Sequence, residues 1–319
     1  MGMADRKVER VVRAVATSDG AGVRLSRAIA NAELDHLDPF LLLDEFRSDD
    51  PSDYIAGFPD HPHRGFETVT YMLAGKMEHA DHAGNRGLLV GGGAQWMTAG
   101  RGIIHSETPK QENGLMWGFQ LWVNLPASSK MSAPRYQDID PSAIPEVKLE
   151  RGSVRVIAGT FLGVKGPVQG IVTDPIYLDV SLEASGRFEA AIPEDHTAFL
   201  YAYQGEGSVG STTLAPKSLG VLSRGERIVA EAGNRKCLGG SPSRQANCLA
   251  RIGPGHPDQP DRARSARSCR CGSPQARMRP PPAAAPPSQV VMRPPARSMI
   301  GIKATMSCGF RPASTTISI

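Results

Sequence analysis

Cysteine is absent from the first 236 residues of this 319-residue chain, and all 5 cysteines lie between Cys237 and Cys308. A disulfide framework is therefore excluded from the larger part of the chain, as expected in a reducing compartment. Aromatic residues make up only 6% of the chain. No uncharged apolar run reaches the roughly 18 to 20 residues that a membrane-spanning helix needs. The polar N-terminus also lacks the apolar centre of a signal peptide, so the sequence predicts a cytoplasmic protein without membrane segments.

Basic and acidic residues are unevenly distributed along the chain. From Cys237 to Ile319 there are 12 Lys and Arg against 2 Asp and Glu, a net charge of +10, whereas the preceding residues carry a net charge of −6. The same segment contains 13 of the 26 prolines and a single aromatic residue, Phe310. Such a sequence cannot bury enough apolar surface to fold, so residues 237–319 are predicted to be a disordered, low-complexity basic tail.

Short apolar runs separated by Gly, Pro, Asn and Asp recur throughout residues 1–236, among them ETVTYMLAG, SVRVIAGTFLG and HTAFLYAYQ. Their length and their content of β-branched and aromatic residues indicate an all-β barrel or sandwich rather than alternating strands and helices. The polar stretch SSKMSAPRYQDIDPSAIPEVKLE separates two strand-rich sets. We therefore predict two β-barrels in tandem, formed by residues 1–135 and 136–236.

Two pairs of residues at i, i+2 spacing stand out in the first set: His61 with His63, and His105 with Glu107. Side chains at this spacing on a strand point to the same face, so each pair can present two ligands to one barrel interior. Pro62 favours an edge strand near the barrel mouth. Three imidazoles and a carboxylate suit iron, manganese, nickel, copper or zinc. Iron(II) is the first choice, because four ligands on an octahedral ion leave two positions for substrate or dioxygen.

Spacing alone leaves a polar strand face without a metal as an equally good interpretation. However, the strings GFPDHPHRGFETVTYMLAGKMEHADHAGNRG and QWMTAGRGIIHSE resemble the signature of the pirin family, and the resemblance covers most of residues 8–236. It implies a bicupin fold, that is, two cupin-type β-barrels in tandem with one iron site in the N-terminal barrel. By motif position, the resemblance places the metal ligands on His61, His63, His105 and Glu107.

Other polar residues near these motifs receive supporting roles. Glu67 is interpreted as a structural or ligand-supporting carboxylate, because pirins use the later glutamate as their ligand. His79 and His82 in MEHADHAG are predicted to lie on a solvated turn. His196 is the only histidine of the second predicted barrel, so that barrel is expected to be free of metal.

Large apolar residues and two arginines flank the ligand pairs. Phe66, Trp96 and Met97 are predicted to be core or pocket-wall residues. Arg64 and Arg101 either attract an anionic substrate or form structural salt bridges.

One turn departs from the family pattern. Pirins carry a Pro-Gly-Asp type turn before the QWMTAGRG string, and this chain reads Gly91-Gly92-Gly93-Ala94. Since glycine adopts positive φ without a steric penalty, we expect the turn to form.

The tail also departs from the family. Pirins continue through a further strand and a segment that resembles Gly-Pro, two hydrophobic residues and Met-Asn-Thr, which this chain lacks. The codons for RQANCLARIGPGHPDQP, read one nucleotide later, permit GRPIAWPESGPVILTN, which does resemble that segment. We hypothesise that residues 237–319 are translated in a shifted frame and that the second barrel lacks its last strand; the gene sequence would decide this.

Two functions follow from the resemblance. The first is a nonhaem iron dioxygenase of the quercetin 2,3-dioxygenase type, which acts on a small aromatic chelating substrate with dioxygen and uses Glu107 as its base. The alternative is a redox-sensing regulator that binds transcription factors or metabolic enzymes through an iron-dependent surface. The sequence contains no helix-turn-helix or other DNA-reading motif, so sequence-specific DNA binding is not expected.

Overall fold

The computed structural model describes residues 3–110 and 114–233, and the backbone of residues 246–254. Strands dominate these residues. Those up to residue 139 are β1 (Val8–Arg13), β2 (Val15–Asp19), β3 (Val23–Ile29), β4 (Phe40–Ser48), β5 (Phe58–His63), β6 (Phe66–Ala74), β7 (Lys76–Asp81), β8 (Arg86–Val90), β9 (Ala94–Thr98), β10 (Ile103–Pro109), β11 (Met116–Asn124) and β12 (Arg135–Ile139).

The later strands complete an all-β fold. They are β13 (Glu146–Leu149), β14 (Gly152–Ala158), β15 (Thr160–Phe161), β16 (Val164–Lys165), β17 (Ile176–Leu182), β18 (Arg187–Ala191), β19 (His196–Gln204), β20 (Gly207–Val209), β21 (Thr212–Leu214), β22 (Ser218–Leu222), β23 (Arg227–Ala232) and β24 (Ala246–Pro254). Short 3-10 helices lie at Pro51–Asp53, Ala127–Ser129 and Pro141–Ala143. In the described part of the chain, no helix has the length and apolar character needed to cross a membrane; the cytoplasmic location stays a prediction.

Two antiparallel sheets form the first barrel. One has the strand order β12-β9-β6-β11-β4-β3-β2 and the other the order β5-β10-β7-β8. Because side chains alternate along a strand, the central strand β6 has two different faces. Thr70 points into the barrel, where it meets β10, and Tyr71 points out toward the second half of the chain.

The second barrel repeats this arrangement with the orders β1-β22-β19-β24-β17-β14-β13 and β18-β23-β20-β21. Its edge strand β1 comes from the N-terminus and is held there by Arg6, which is 3% exposed. The Arg6 guanidinium donates to the carbonyls of Pro193, His196 and Gly225 at 2.7, 2.7 and 2.9 Å. The division of the chain into residues 1–135 and 136–236 stays a prediction.

Part of the segment assigned to the tail is a strand. The backbone of β24 lies between β17 and β19 and pairs with both, with residue 250 opposite Leu178 and Leu200. The second barrel therefore has a strand in the position that the shifted-frame hypothesis left empty. This strand provides hydrogen-bond partners for backbone groups of β17 and β19 that would otherwise be unpaired. The predictions for residues 234–245 and 255–319 lie outside the described residues.

The two seven-stranded sheets face each other across a large apolar core. Phe119 and Trp96 of the first barrel and Phe199 of the second belong to this cluster, and all three are at most 1% exposed. Burial of aromatic rings on this scale is a main source of stability for a chain with few aromatic residues. This apolar core thus joins the two barrels.

Two reciprocal hydrogen bonds cross the same interface. Tyr71 Oη of the first barrel donates to Asp179 Oδ2 of the second at 2.7 Å, and Tyr201 Oη of the second donates to Glu45 Oε2 of the first at 2.7 Å. Tyr71 on β6 and Tyr201 on β19 are thus equivalent positions of the two barrels, related by an approximate twofold axis.

The glycine turn forms as expected. Gly92 has a φ of +86°, a conformation that glycine adopts without strain. Its N–H donates to the Met72 carbonyl at 2.8 Å, and its carbonyl accepts from Arg155 Nη2 at 2.8 Å. A second-barrel arginine therefore stabilises the turn that departs from the family pattern.

Candidate metal centre

Adjacent strands of the small sheet in the first barrel carry the four predicted ligands. His61 and His63 lie on β5, and His105 and Glu107 lie on β10. The strands are antiparallel with His105 opposite His61, and the register shifts between His105 and Glu107. Directly opposed residues share a face of a sheet, and the i, i+2 spacing keeps each pair on that face.

Three histidines converge at this point. One ring nitrogen from each of His61, His63 and His105 lies within 4.8 Å of the others. His61 Nε2 is 3.1 Å from His105 Nε2. His61 Nδ1 lies 2.8 Å from the Pro59 carbonyl, to which it can only donate, so the Nε2 lone pair of His61 faces the cluster.

Burial keeps two of these imidazoles neutral. His63 and His105 are 4% and 1% exposed. Desolvation, with help from the neighbouring histidines, lowers the pKa of His63 to about 2, and desolvation also lowers the pKa of His105 to about 4. Neutral imidazoles with free lone pairs are the form that binds a divalent metal. The donor set therefore fits a transition metal such as iron, and residues 3–110 and 114–233 contain no thiol that would favour another type of site.

Glu107 lies beside the histidines and is held by uncharged partners. It is 3% exposed; its Oε1 accepts from Thr70 Oγ1 at 3.0 Å, and its Oε2 accepts from Gln120 Nε2 at 2.9 Å. Its negative charge raises the pKa of His105, against the larger lowering by burial. The three-histidine cluster does not include this carboxylate, so its role as fourth ligand stays a prediction.

Thr70 and Gln120 were not predicted as site residues. Thr70 Oγ1 also lies 3.1 Å from Gln120 Oε1, so the two side chains form one network with Glu107. Gln120 interrupts the apolar run LMWGFQLWV, and a polar residue inside a buried strand is a signal that could have identified it.

Aromatic rings form one wall of the site. The ring centroids of Phe66 and Trp122 lie 5.1 and 5.2 Å from that of His63, and 4.8 Å from each other. The prediction of Phe66 as a pocket-wall residue is confirmed. Trp96 packs in the core between the barrels, and Met97 belongs to a small buried cluster with Ile103; both confirm the core interpretation.

Glu67 has a structural position, away from the metal centre. It is 1% exposed and accepts a hydrogen bond from Thr98 Oγ1 at 2.6 Å. Because it precedes Thr68 on β6 by one residue, it points to the opposite face of the strand from Thr68 and Thr70. This position favours the structural interpretation over support of the metal ligands, because Glu67 lies on the face of β6 turned away from them.

The prediction that His79 lies on a solvated turn was wrong. His79 belongs to β7, is 3% exposed, contacts Gln95 Nε2 and stacks on Tyr136 with ring centroids 5.0 Å apart. The strand continues to Asp81 and β12 covers it, so the polar residues that suggested a turn are paired in the sheet. His82 does lie on the exposed turn.

Arg64 and Arg101 are exposed. Within residues 3–110 and 114–233, neither forms an ion pair. Arg64 Nη2 lies 3.5 Å from Met131 Sδ, a weak contact. The salt-bridge alternative is therefore not realised, and both guanidinium groups are accessible beside the ligand strands.

The tandem barrels and the histidine cluster define a bicupin protein with a candidate metal site in its first barrel. Family models agree with this class. The model described as Pirin matches residues 22–123, and the model described as Pirin C-terminal cupin domain matches residues 177–246.

Similar proteins place the chain in one family. A pirin-like protein of Caulobacter vibrioides is 50% identical over 229 residues, which are 71% of this chain and 83% of that protein. Pirin of Homo sapiens is 42% identical over 231 residues, 71% of this chain and 78% of that protein. A crystal structure of quercetin 2,3-dioxygenase from Acinetobacter baumannii superimposes with a TM-score of 0.71 at 30% identity, covering 79% of this chain and 88% of that one. The chain belongs to the pirin family.

Proposed function

We propose that this protein is a pirin-like nonhaem iron dioxygenase that acts on flavonol-type, quercetin-like chelating phenols. The observation that carries the proposal is the convergence of His61, His63 and His105 in the first barrel. Similarity to a solved structure that is named a quercetin 2,3-dioxygenase supports the substrate class.

His61, His63, His105 and Glu107 would hold iron(II), and other divalent transition metals suit the same donors. When bound, iron(II) supplies a Lewis acid for a phenolic oxygen and electrons for chemistry with dioxygen. The buried histidines stay neutral at physiological pH, so they need lose no proton before they bind the metal.

Glu107 is the proposed base for the 3-hydroxyl proton of the flavonol. A carboxylate that is paired with a cation is a weak base. Thr70 and Gln120 offer it a second set of partners, which hold it beside the histidines without a bond to the metal. Proton acceptance at a carboxylate oxygen then needs no large side-chain movement.

The surroundings of the histidines suit an aromatic, acidic substrate. Phe66 and Trp122 form an apolar wall against His63, on which flat phenolic rings can stack. The exposed guanidinium of Arg64, one residue beyond His63, favours the approach of a phenolate.

The test is anaerobic metal analysis of the purified protein, followed by a quercetin-decay assay with and without added iron(II). We expect about one iron per chain and decay that depends on the metal. Bound iron without turnover would refute the dioxygenase and favour the redox-sensing regulator.

The role of Glu107 has its own test. Glu107→Gln should retain part of the metal and lose turnover, since an amide cannot accept the substrate proton. The exposed Glu183→Gln in the second barrel is the matched control and should retain activity. Full activity of Glu107→Gln would remove this residue from the mechanism.

A further inference from the structure

A row of three polar residues crosses the first barrel on the face turned away from the metal centre. The strands β6, β9 and β12 are neighbours, with Glu67 opposite Thr98 and Thr98 opposite Arg135. Neighbouring strands lie about 4.8 Å apart, so a carboxylate, a hydroxyl and a guanidinium group stand side by side in that order.

A cavity of about 170 Å³ lies over this row. Its roof is the segment that joins the two barrels, through Leu125, Ser129 and Ser132, and its far wall is formed by Gly170 and Val172. For scale, a cavity of about 150 Å³ accommodates benzene. The space therefore suits a ligand with only a few carbon atoms.

The far wall is fixed to the row itself. Arg135 Nη2 donates to the Gly170 carbonyl at 3.2 Å, and Gln137 Nε2 donates to the Gln169 carbonyl at 3.0 Å. The Gln169 N–H in turn donates to Gln137 Oε1 at 3.0 Å. These contacts hold residues 169–170 against β12.

Glu67 lies at the buried end of the cavity, and one of its carboxylate oxygens accepts no hydrogen bond within the described part of the chain. Its Oε2 has no hydrogen-bond partner among the described residues, although the side chain is 1% exposed. The Trp96 indole N–H faces the same carboxylate and helps to lower its pKa, against the larger raising by burial, but makes no hydrogen bond. Buried carboxylate oxygens are rarely left unpartnered, so Oε2 can accept a hydrogen bond from a group inside the cavity.

Arg135 and Val172 mark the open end, where Val172 is 58% exposed. The cavity is thus acidic at its base and basic at its mouth, with hydroxyl groups along its length. We propose that it binds a small zwitterion of the α-amino-acid class, with the ammonium group on Glu67 Oε2 and the carboxylate group at Arg135. Leu125 and Val172 provide apolar contact for a short side chain.

Binding can be followed on the full chain through the indole N–H signals of its three tryptophans in ¹⁵N NMR spectra. Trp96 faces Glu67, whereas Trp117 donates to Glu45 and Trp122 packs on His63, so the last two are internal controls. Titration with L-alanine should shift the Trp96 signal saturably and leave the others in place.

Two half-ligands test the assignment of the two ends. Methylammonium lacks the carboxylate and propionate lacks the ammonium group, so each should bind at least about tenfold more weakly than L-alanine. Equal affinity of methylammonium and L-alanine would overturn the assignment of a zwitterion.

Variants complete the test. Glu67→Gln and Arg135→Gln should each weaken L-alanine binding about tenfold or more. Ala133→Phe, at an exposed lining position, should fill the cavity and abolish binding without a change in the core. Glu183→Gln is the control and should bind as the unmodified chain does. The proposal is overturned if the Trp96 signal does not shift saturably or if Glu67→Gln binds L-alanine with unchanged affinity.

Discussion

Thr70 in the first barrel and Leu200 in the second occupy equivalent positions, one residue before the tyrosines that make the reciprocal hydrogen bonds across the interface. Thr70 donates to Glu107 within a polar network beside three histidines. Leu200 instead belongs to the same buried apolar cluster as Leu178 and Phe188. One strand arrangement thus encloses a polar site in one barrel and a hydrophobic core in the other.

This difference separates function from stability within a single fold. In the first barrel the interior apolar residues form two smaller groups, around Met72 and around Met97, and the polar site occupies interior space. Among the described side chains of the second barrel, the interior apolar residues form one cluster. Polar residues of the site replace apolar side chains that would otherwise pack in the interior of the first barrel. The large apolar interface with the second barrel compensates for this loss of stability.

The largest expected effect is the loss of the metal site through a single histidine in the first barrel. His63→Ala should lower iron affinity by at least about 100-fold, since even residues that only support a ligand affect affinity by 10- to 100-fold, and should abolish quercetin decay. Metal content after anaerobic dialysis measures this.

His196→Ala is the matched change in the second barrel, at a histidine that is 8% exposed. It should leave iron content and activity unchanged. Loss of iron from His196→Ala, or an unchanged iron content in His63→Ala, would show that the metal site is not confined to the first barrel.

The next largest effect is a loss of stability without a loss of activity, caused by a truncation in the core of the second barrel. Leu200→Ala should lower the free energy of unfolding by about 2 to 5 kcal/mol, as expected for a leucine truncated in a core, and the folded fraction should retain activity. Urea denaturation and the quercetin-decay assay give the two readouts.

Thr70→Val is the counterpart in the first barrel. It removes one donor to Glu107 and should cost only about 1 kcal/mol of stability, while metal affinity or turnover falls. The reverse pattern, with activity lost in Leu200→Ala and kept in Thr70→Val, would contradict this account.

Removing the hydroxyl of either reciprocal tyrosine should have a smaller effect on stability, although Tyr71→Phe also removes the acceptor of Arg155 Nη1. Tyr71→Phe leaves Asp179 with a hydrogen bond from Tyr203 at 2.8 Å, and Tyr201→Phe leaves Glu45 with one from Trp117 at 2.9 Å. Each change should therefore cost about 1 to 2 kcal/mol, measured by urea denaturation. A large effect of one and none of the other would show that the interface is not symmetric in energy.

The smallest effect is a change in pH dependence. Burial raises the pKa of Glu45 above its usual 4.5, against hydrogen bonds from Tyr201 and Trp117 that lower it. The folded state therefore favours the protonated carboxyl, so its contribution to stability is present below pH 4.5 and is lost as the pH rises through the raised pKa. Glu45→Gln should flatten this fall in the free energy of unfolding between pH 4.5 and neutrality; an unchanged slope would show that Glu45 does not titrate in this range.

Sequence reasoning located the histidines of the site because their spacing matches a strand. The i, i+2 pairs on β5 and β10 place His61, His63 and His105 on one face without any knowledge of the loops between them. The alternation of side chains along a strand also predicts that Glu67 and Thr70 lie on opposite faces of β6, because they are an odd number of residues apart.

Features that depend on distant pairing were not predictable in this way. His79 is buried because β12, from a distant part of the chain, places Tyr136 on its ring. Thr70 and Gln120 belong to the site because β6 and β11 face β10 across the barrel, which the local sequence does not show. The composition predicted a disordered tail from residue 237. However, β24 pairs with β17 and β19, and composition does not show that two distant strands leave a position for a third strand between them.

The central claim is that the first barrel alone binds the metal. Anomalous X-ray scattering at the iron edge, from crystals of protein loaded anaerobically with iron(II), tests it directly. One strong peak is expected among the ring nitrogens of His61, His63 and His105, with a Glu107 carboxylate oxygen beside it. No peak at these histidines, or a peak inside the second barrel, would contradict the account.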